Sequence, residues 1–432
     1  MKRSSLLYFA LVAVALSSCT DKAWHMEVKN NMDEARADEV QVIARAEVEH
    51  LLGSPSDEKK CPVVKLLGEY VPSQIDDIDL DGEWDELAFL VNIGAGESLR
   101  YELEYLSQEA YPSFSKRTNV RLGIHQEDGS YLEVDTYDAI PQTQPFQVIA
   151  QGESVNWEND KMGFRNYFDC RNVKDLFGKR TGELVLDKIH TPEMGDYHQL
   201  ADWGMDVLHC GNSVGSGGLA LFENDSLYRL GSTDTYTYQK ISEGPVRSIF
   251  ELQYTGWHVG EQTLTAVERI SIYPGKYWFQ SDVTLSGFEG EKQLATGIVT
   301  TKLLQSTPQK FDLSGTYQAI ATLDAQSLNN DELGMAVVLK QAEVTHVGEA
   351  NKEDYFQKGE MYQTVPEKQF SQVISDTYFV AQKIMNDKPA RHYFAAVWGL
   401  ENEKWKEMAN FKTYLEGEAK KWENPLEITL KP

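Results

Sequence analysis

Residues 264–286 read LTAVERISIYPGKYWFQSDVTLS, and this stretch decides the fold. Leu264 to Tyr273 and Tyr277 to Leu285 are dense in β-branched and aromatic side chains, which suit a pleated, half-buried surface. Pro274-Gly275 parts them, a pair that belongs in a turn. The stretch reads as two antiparallel strands. Upstream come Leu219 to Phe222, Thr235 to Ile241 and, beyond the Gly244-Pro245 turn, Val246 to Thr255. Downstream come Leu294 to Leu303, Gln318 to Leu323, Met335 to Leu339, Phe379 to Ile384 and Arg391 to Trp398.

The first third of the chain follows the same pattern. Strands are expected at Trp24 to Lys29, Leu87 to Ile93, Arg100 to Leu106, Arg121 to His125 and Phe146 to Ala150. Residues 38–49 fit either a strand through Val40, Val42 and Ala44 or an amphipathic helix. Glu401 to Tyr414 reads as a helix, as does part of Leu415 to Trp422. The sum is an all-β protein, an antiparallel β-sandwich with a short C-terminal helix. We divide it into a leader at 1–18, an N-terminal β region at 19–150 and a larger β domain at 151–432.

Lys2 and Arg3, the apolar Leu6 to Leu16 and then Leu16-Ser17-Ser18-Cys19 have the form of an export signal ending in a bacterial lipobox. Cys19 is the expected lipidation site; a plain signal peptide ending nearby is the alternative. The expected location is outside the cytoplasm, lipid-anchored to a bacterial membrane in the periplasm or at the cell surface. Loss of Lys2 and Arg3 takes the net charge from -26 to -28, since residues 1–18 hold no Asp or Glu. So acidic a surface argues against nucleic acid and against a polybasic membrane contact. An anionic substrate needs a local basic cleft, with the distant acids screened by salt over about 8–10 Å. Of Cys61, Cys170 and Cys210, the last two lie in motif-rich segments and are the expected disulfide pair.

The densest chemistry runs from Gly195 to Gly218, GDYHQLADWGMDVLHCGNSVGSGG. His198 is the better catalytic candidate, because Asp202 or Asp206 can fix its tautomer. His209 alternates with Met205 and Val207 and reads as structural or supporting. The Gly-rich end lacks the Lys of a phosphate loop, and no dinucleotide fingerprint or nucleophile elbow occurs. Farther back, Trp157 is a candidate to stack on a sugar, Glu158 to act as acid or base, and Arg165 to clamp a carboxylate, with Tyr167 on the same strand face as Arg165. Residues 171–180 are the most basic run, with Arg171 and Lys179 as further cations, or simply a solvated turn. His392 and Trp398 are candidates to complete the cleft, or to pack. Asp77, Asp79, Asp81 and Asp85 around Gly82 resemble a calcium loop without the EF-hand's twelfth-position Glu, since that position is Ala88. A structural Ca2+ or an acidic turn are the two readings, and no cofactor is expected for catalysis.

Trp157-Glu158 through Phe164-Arg165, Arg171, Phe177-Gly178-Lys179, Tyr197-His198, Trp203 to Leu208 and the Gly-rich bend together resemble an exported Bacteroidetes-type family that includes the ulvan oligosaccharide dehydratase. Val71 to Gln74 and Asp79 to Glu86 look like the same family's N-terminal half. His209 stands where the family has a Lys ahead of the Gly. The resemblance implies a supersandwich similar to the galactose-mutarotase-like fold. It also implies a hydro-lyase that removes water from the non-reducing terminal uronic acid of an acidic oligosaccharide, working beside unsaturated-glucuronyl hydrolases and sulfatases. That chemistry asks for a cation at the carboxylate, a base and an acid. Arg165 is assigned to the carboxylate with Arg171 or Lys179 assisting, His198 to the base, and Tyr167 or Tyr197 to the acid. Trp157 and Trp203 are assigned to the sugar rings. The alternatives are a non-catalytic oligosaccharide-binding lipoprotein and a mutarotase- or epimerase-like enzyme.

Overall fold

The computed structural model describes residues 25–55, 57, 59–138, 149–169, 171–231, 233–350 and 374–431. The quoted stretch forms two antiparallel strands, Gln262–Ile272 and Trp278–Ser286, in register from Thr265 opposite Ser286 to Ile272 opposite Phe279. They lie within a nine-stranded antiparallel sheet. From edge to edge it runs Thr136–Tyr137, Thr235–Ser242, Ser248–Val259, Gln262–Ile272, Trp278–Ser286, Pro389–Trp398, Leu333–Lys340, Tyr317–Asp324 and Gln309–Leu313.

Two five-stranded sheets share one large core with it. One is built from Thr118–Arg121, Ser154–Asn159, Met162–Tyr167, Lys174–Lys179 and Gly204–Asp206. The other holds Ser226–Arg229, Ser216–Glu223, Glu291–Val299, Thr377–Met385 and Val344–Glu349. The alternation of side chains turns Phe250, Ile270, Phe279 and Phe394 into that core, where they meet Trp157 and Phe164. The result is the expected all-β sandwich.

A smaller sandwich of a five-stranded and a three-stranded sheet has its own core around Val28, Val64, Phe89 and Leu103. Residues 36–52 realise both readings in succession, a strand Arg36–Ala44 and then a helix Arg45–Leu52. The helix Met408–Glu423 buries Phe411, Leu415 and Ala419 at helical spacing. Sheet membership crosses the division expected at residue 150. Thr118–Arg121 and Thr136–Tyr137 belong to the large sandwich, and the final strand Glu427–Leu430 returns to pair with Met26–Lys29. Gln74, from the motif-bearing N-terminal half, ties the two bodies together, its Oε1 accepting from the Val246 and Arg247 amides at 2.9 and 3.1 Å.

Cys61 and Cys210 are free thiols. The expected Cys170–Cys210 bridge is therefore not made: Cys210 is buried with its Sγ 3.5 Å from the Lys174 carbonyl. Cys170, Cys19 and most of Phe146 to Ala150 lie outside the described residues. Among the described residues, no helix is long and apolar enough to cross a membrane.

Candidate functional site

The strand Met162–Tyr167 presents Phe164 to the core and Arg165 and Tyr167 to its other face, as the period of two requires. That outer face is not solvated. The segment after Lys179 folds back over it and packs Val185, Leu186, Ile189, Tyr197 and Trp203 around Phe177. Arg165 lies opposite Asp175 on the next strand, and Phe177 lies opposite Asp206 on the one after.

This register gathers the charges. Arg165 Nε and Nη2 donate to Asp175 Oδ2 at 3.0 and 2.6 Å, and Nη2 donates to Asp206 Oδ2 at 2.5 Å. Nη1 donates to the Tyr197 hydroxyl at 3.3 Å. The guanidinium carbon stands 4.5 Å from the Tyr167 ring centroid and 5.0 Å from that of Phe177. Two buried carboxylates face one cation. Burial and then the Asp175 charge push the Asp206 carboxyl up to about 8, against the pull of Arg165.

His198 stands at the mouth, with its side chain 51% exposed. Its Nδ1 lies 3.0 Å from Asp196 Oδ1, and its Nε2 lies 3.7 Å from Asp206 Oδ2, too far for a hydrogen bond. Its ring centroid is 4.2 Å from that of Tyr197. Arg165 and His198 thus meet at one carboxyl, Asp206. Asp202 is exposed, so Asp196 orients the imidazole in its place, with Asp206 beneath Nε2. Asp196 was legible, because an Asp two residues ahead caps the His198 amide at 3.0 Å.

Several expected roles are overturned by burial. Trp157 is fully buried among Phe164, Phe250 and Phe279 and offers no face to a sugar. Glu158 is also fully buried, 2.5 Å from Lys179 Nζ, and accepts from the Val185 and Leu186 amides, so it anchors the covering segment. Lys179 is spent on that pair and on the Asn159 carbonyl at 2.6 Å. Arg171 is held by Asp169 at 2.5 and 2.9 Å, under the Tyr167 ring. Tyr167 donates to Asp175 at 2.7 Å, and burial pushes its hydroxyl well above the ordinary phenol range, which removes it as an acid.

Trp398 is core, lying on Gly178, where an added Cβ would come 2.4 Å from its ring, and it donates to Asp331. His392 is fully buried on the nine-stranded sheet, and burial pushes it down to about 3, so it stays neutral. Trp203 is half-buried beside Phe177, its ring 6.5 Å away, and keeps some surface at the mouth. His209 is half-exposed, held neutral by burial and then by Lys302, with Asp175 and Arg171 in its field. The basic run 171–180 is neither a solvated turn nor a free positive cleft. Arg171 and Lys179 each meet a buried carboxylate, as does Lys174 with Glu268 at 2.8 Å.

In the smaller sandwich, the loop between Ser73–Asp76 and Glu86–Ile93 brings carboxylate oxygens of Asp77, Asp79 and Asp85 within 4.8 Å of one another. Asp77 Oδ1 is buried without a hydrogen-bond partner among the described residues. Asp81 stands outside the trio and caps the Glu83 amide at 2.8 Å. Hard oxygens converging on one point suit Ca2+.

Among known proteins, an uncharacterised Formosa agariphila protein designated P7 is 23% identical over 450 residues, with 100% of each chain covered. An α-mannosidase from Enterococcus faecalis is 8% identical at a TM-score of 0.41, covering 95% of this chain and 46% of that one. A glycosyl hydrolase family 38 protein from the same species is 9% identical at a TM-score of 0.42, covering 96% and 48%. The chain thus spans about half the length of these two solved structures. The family described as "Domain of unknown function (DUF4861)" matches residues 28–428, and the chain belongs to that family.

Proposed function

We propose that this protein is a lipid-anchored, exported carbohydrate-active hydro-lyase that eliminates water from the terminal uronic acid of an acidic oligosaccharide such as an ulvan fragment. The observation that carries the reading is the half-exposed His198 imidazole, with Nε2 free of a hydrogen bond among the described residues, set over the buried Asp206–Arg165 pair. His198 takes the proton beside the substrate carboxyl. Asp196 holds its tautomer and steadies the imidazolium, with Asp206 below the ring. Arg165 acts differently from a bidentate clamp. Nη1, the nitrogen that no aspartate holds among the described residues, and the Tyr197 hydroxyl beside it meet the carboxyl. The sugar itself is inferred from the motif resemblance.

The expected result is a rise in ultraviolet absorbance, from a conjugated unsaturated uronate, on feeding glucuronate- or iduronate-ended oligosaccharides. Silence across glucuronate-, iduronate- and galacturonate-ended substrates removes the lyase reading. The second reading, an oligosaccharide-binding lipoprotein, is favoured by the internal pairing of Arg165, Arg171 and Lys179. Calorimetric binding with the sugar recovered unchanged would decide for it.

We propose also that Asp77, Asp79 and Asp85 hold a structural Ca2+. The expected effect is a higher melting temperature in calcium than in EDTA, reduced in Asp79→Asn. Equal melting in both media discards the ion.

A further inference from the structure

The turn ahead of the strand Ser154–Asn159 is built at unusual local cost. Gly152 and Glu153 both adopt left-handed backbone, at φ +63° and +62°. Glycine accepts that conformation readily, but glutamate does not. Strain of this kind persists where the surroundings over-determine it, and it collects at working sites.

The surroundings are fully specified. Gln151 is buried, and its Nε2 donates to the Asp187 and Ile189 carbonyls at 2.8 and 2.7 Å. The Glu153 amide donates to the Ala150 carbonyl at 2.9 Å, and the Glu153 carbonyl accepts from the Phe168 amide at 3.0 Å. A Cβ at Gly152 would meet Ile189 Cδ1 at 2.7 Å. The turn is therefore clamped between the covering segment and the end of the strand that carries Arg165 and Tyr167. Glu153 sits one residue beyond the Ser154–Tyr167 pair.

The clamp presents a carboxyl that makes no hydrogen bond or ion pair among the described residues. It is half-buried, so it is neither a solvated surface acid nor a satisfied internal one. The charged and titratable groups around it come from three directions. Arg165 lies on the neighbouring strand, Asp169 and Arg171 on the turn that follows, and His190 and Tyr197 on the covering segment. His190 is itself left-handed, at φ +58°, and its ring centroid stands 6.0 Å from that of Tyr197. Burial pushes the Glu153 carboxyl up, and Asp169 assists against Arg165, Arg171 and His190. A half-buried acid left without a partner is expensive unless a ligand supplies one.

We propose that Glu153 is a catalytic residue of the Arg165–His198 site, the proton donor to the oxygen that leaves the substrate. This rests on the hydro-lyase reading and fills the acid role that the buried Tyr167 vacates. In the step, His198 takes the proton from the carbon beside the substrate carboxyl, and the electron pair of that C–H bond forms the new C=C bond. The neighbouring C–O bond breaks, and its oxygen takes the Glu153 proton to leave as water. Glu153 ends as a carboxylate and His198 as an imidazolium, and proton return through solvent resets both.

Glu153→Gln keeps the side chain's shape and removes its transferable proton, with Glu153→Ala as the second variant. On uronate-ended oligosaccharide, kcat should fall about a hundredfold or more. The alkaline limb of the kcat/KM profile should vanish, and the melting temperature should hold. A slower enzyme with the limb intact would reduce Glu153 to a structural part.

A second arm needs no turnover. Calorimetry with glucuronic acid should give wild-type affinity that falls as pH rises through the titration of Glu153, because a carboxylate then faces the sugar acid. Glu153→Gln should flatten that fall. If this arm holds while no substrate is dehydrated, Glu153 belongs to the site and the hydro-lyase reading fails. If wild-type affinity ignores pH, the variant keeps the fall, or no binding is seen, the assignment of Glu153 is overturned.

Discussion

His198→Ala is expected to fold and melt like the wild type while losing turnover of uronate-ended oligosaccharides by about a hundred- to ten-thousandfold, the range ascribed to a positioned acid or base. Stability should hold because the ring is half-exposed and its nearest carboxylate contact is the exposed Asp196, an arrangement that contributes little. Turnover should not hold, because the imidazole is the ionisable group at the mouth that lies over Asp206. His198→Gln should be as inactive, since an amide cannot cycle a proton. Wild-type rates in either variant would take His198 out of the chemistry and leave the motif a sugar-contacting loop. Asp202→Ala is the control, since its side chain is exposed; its rate should match the wild type.

Arg165→Met is expected to act on the fold. It strands Asp175 and Asp206 in a face from which water is excluded, with side chains 2% exposed each. Removing one partner of a buried ion pair costs about 3–5 kcal/mol. Adding Asp206→Asn to Arg165→Met should recover part of that loss, because one stranded carboxyl is gone. The pH dependence has a definite sign. Asp206 binds its proton more tightly in the folded protein, about 8 against 3.8. Its stabilising contribution is therefore whole below about 3.8 and is lost as pH rises through 8. Wild type should soften across that window and Asp206→Asn should not, as followed by denaturant titration at several pH values. Equal stability of Arg165→Met and wild type would mean that the cluster is hydrated and the face is open.

The two results separate the jobs of one cluster. Arg165 holds two acids in a dry face, and burial, then the Asp175 charge, keeps Asp206 protonated near neutral pH. A protonated Asp206 under His198 makes the imidazole's surroundings neutral where they would otherwise be anionic. In the proposed reaction the cluster sets the surroundings of the base, although the Arg165 side chain is only 3% exposed.

Which motifs were legible depends on whether their meaning is local. Pro274-Gly275 parts two strands whatever surrounds them, and Asp196 caps His198 within a span of two residues. The shared face of Arg165 and Tyr167 follows from strand periodicity and is seen in the ring contact between them. Trp157 read as a sugar platform, and Trp398 stayed open between cleft and packing, because a tryptophan looks the same in a core and in a cleft. The basic run 171–180 misled for a related reason. Its partners Glu268 and Glu158 are 94 and 21 residues from the lysines that they neutralise.

By itself the sequence determined that this chain is antiparallel β, where most of its strands lie, and that His198 stands among acids near a glycine-rich bend. Those properties rest on backbone preference and side-chain alternation, which act over a few residues. Only the tertiary structure decided that the cations are internally paired, that Asp206 joins Arg165 to His198, and that the last strand closes the first sheet. Charge pairing, burial and the pKa values that follow from them are set by what comes to lie across a sheet or beneath a covering loop. Distance along the chain carries no record of that.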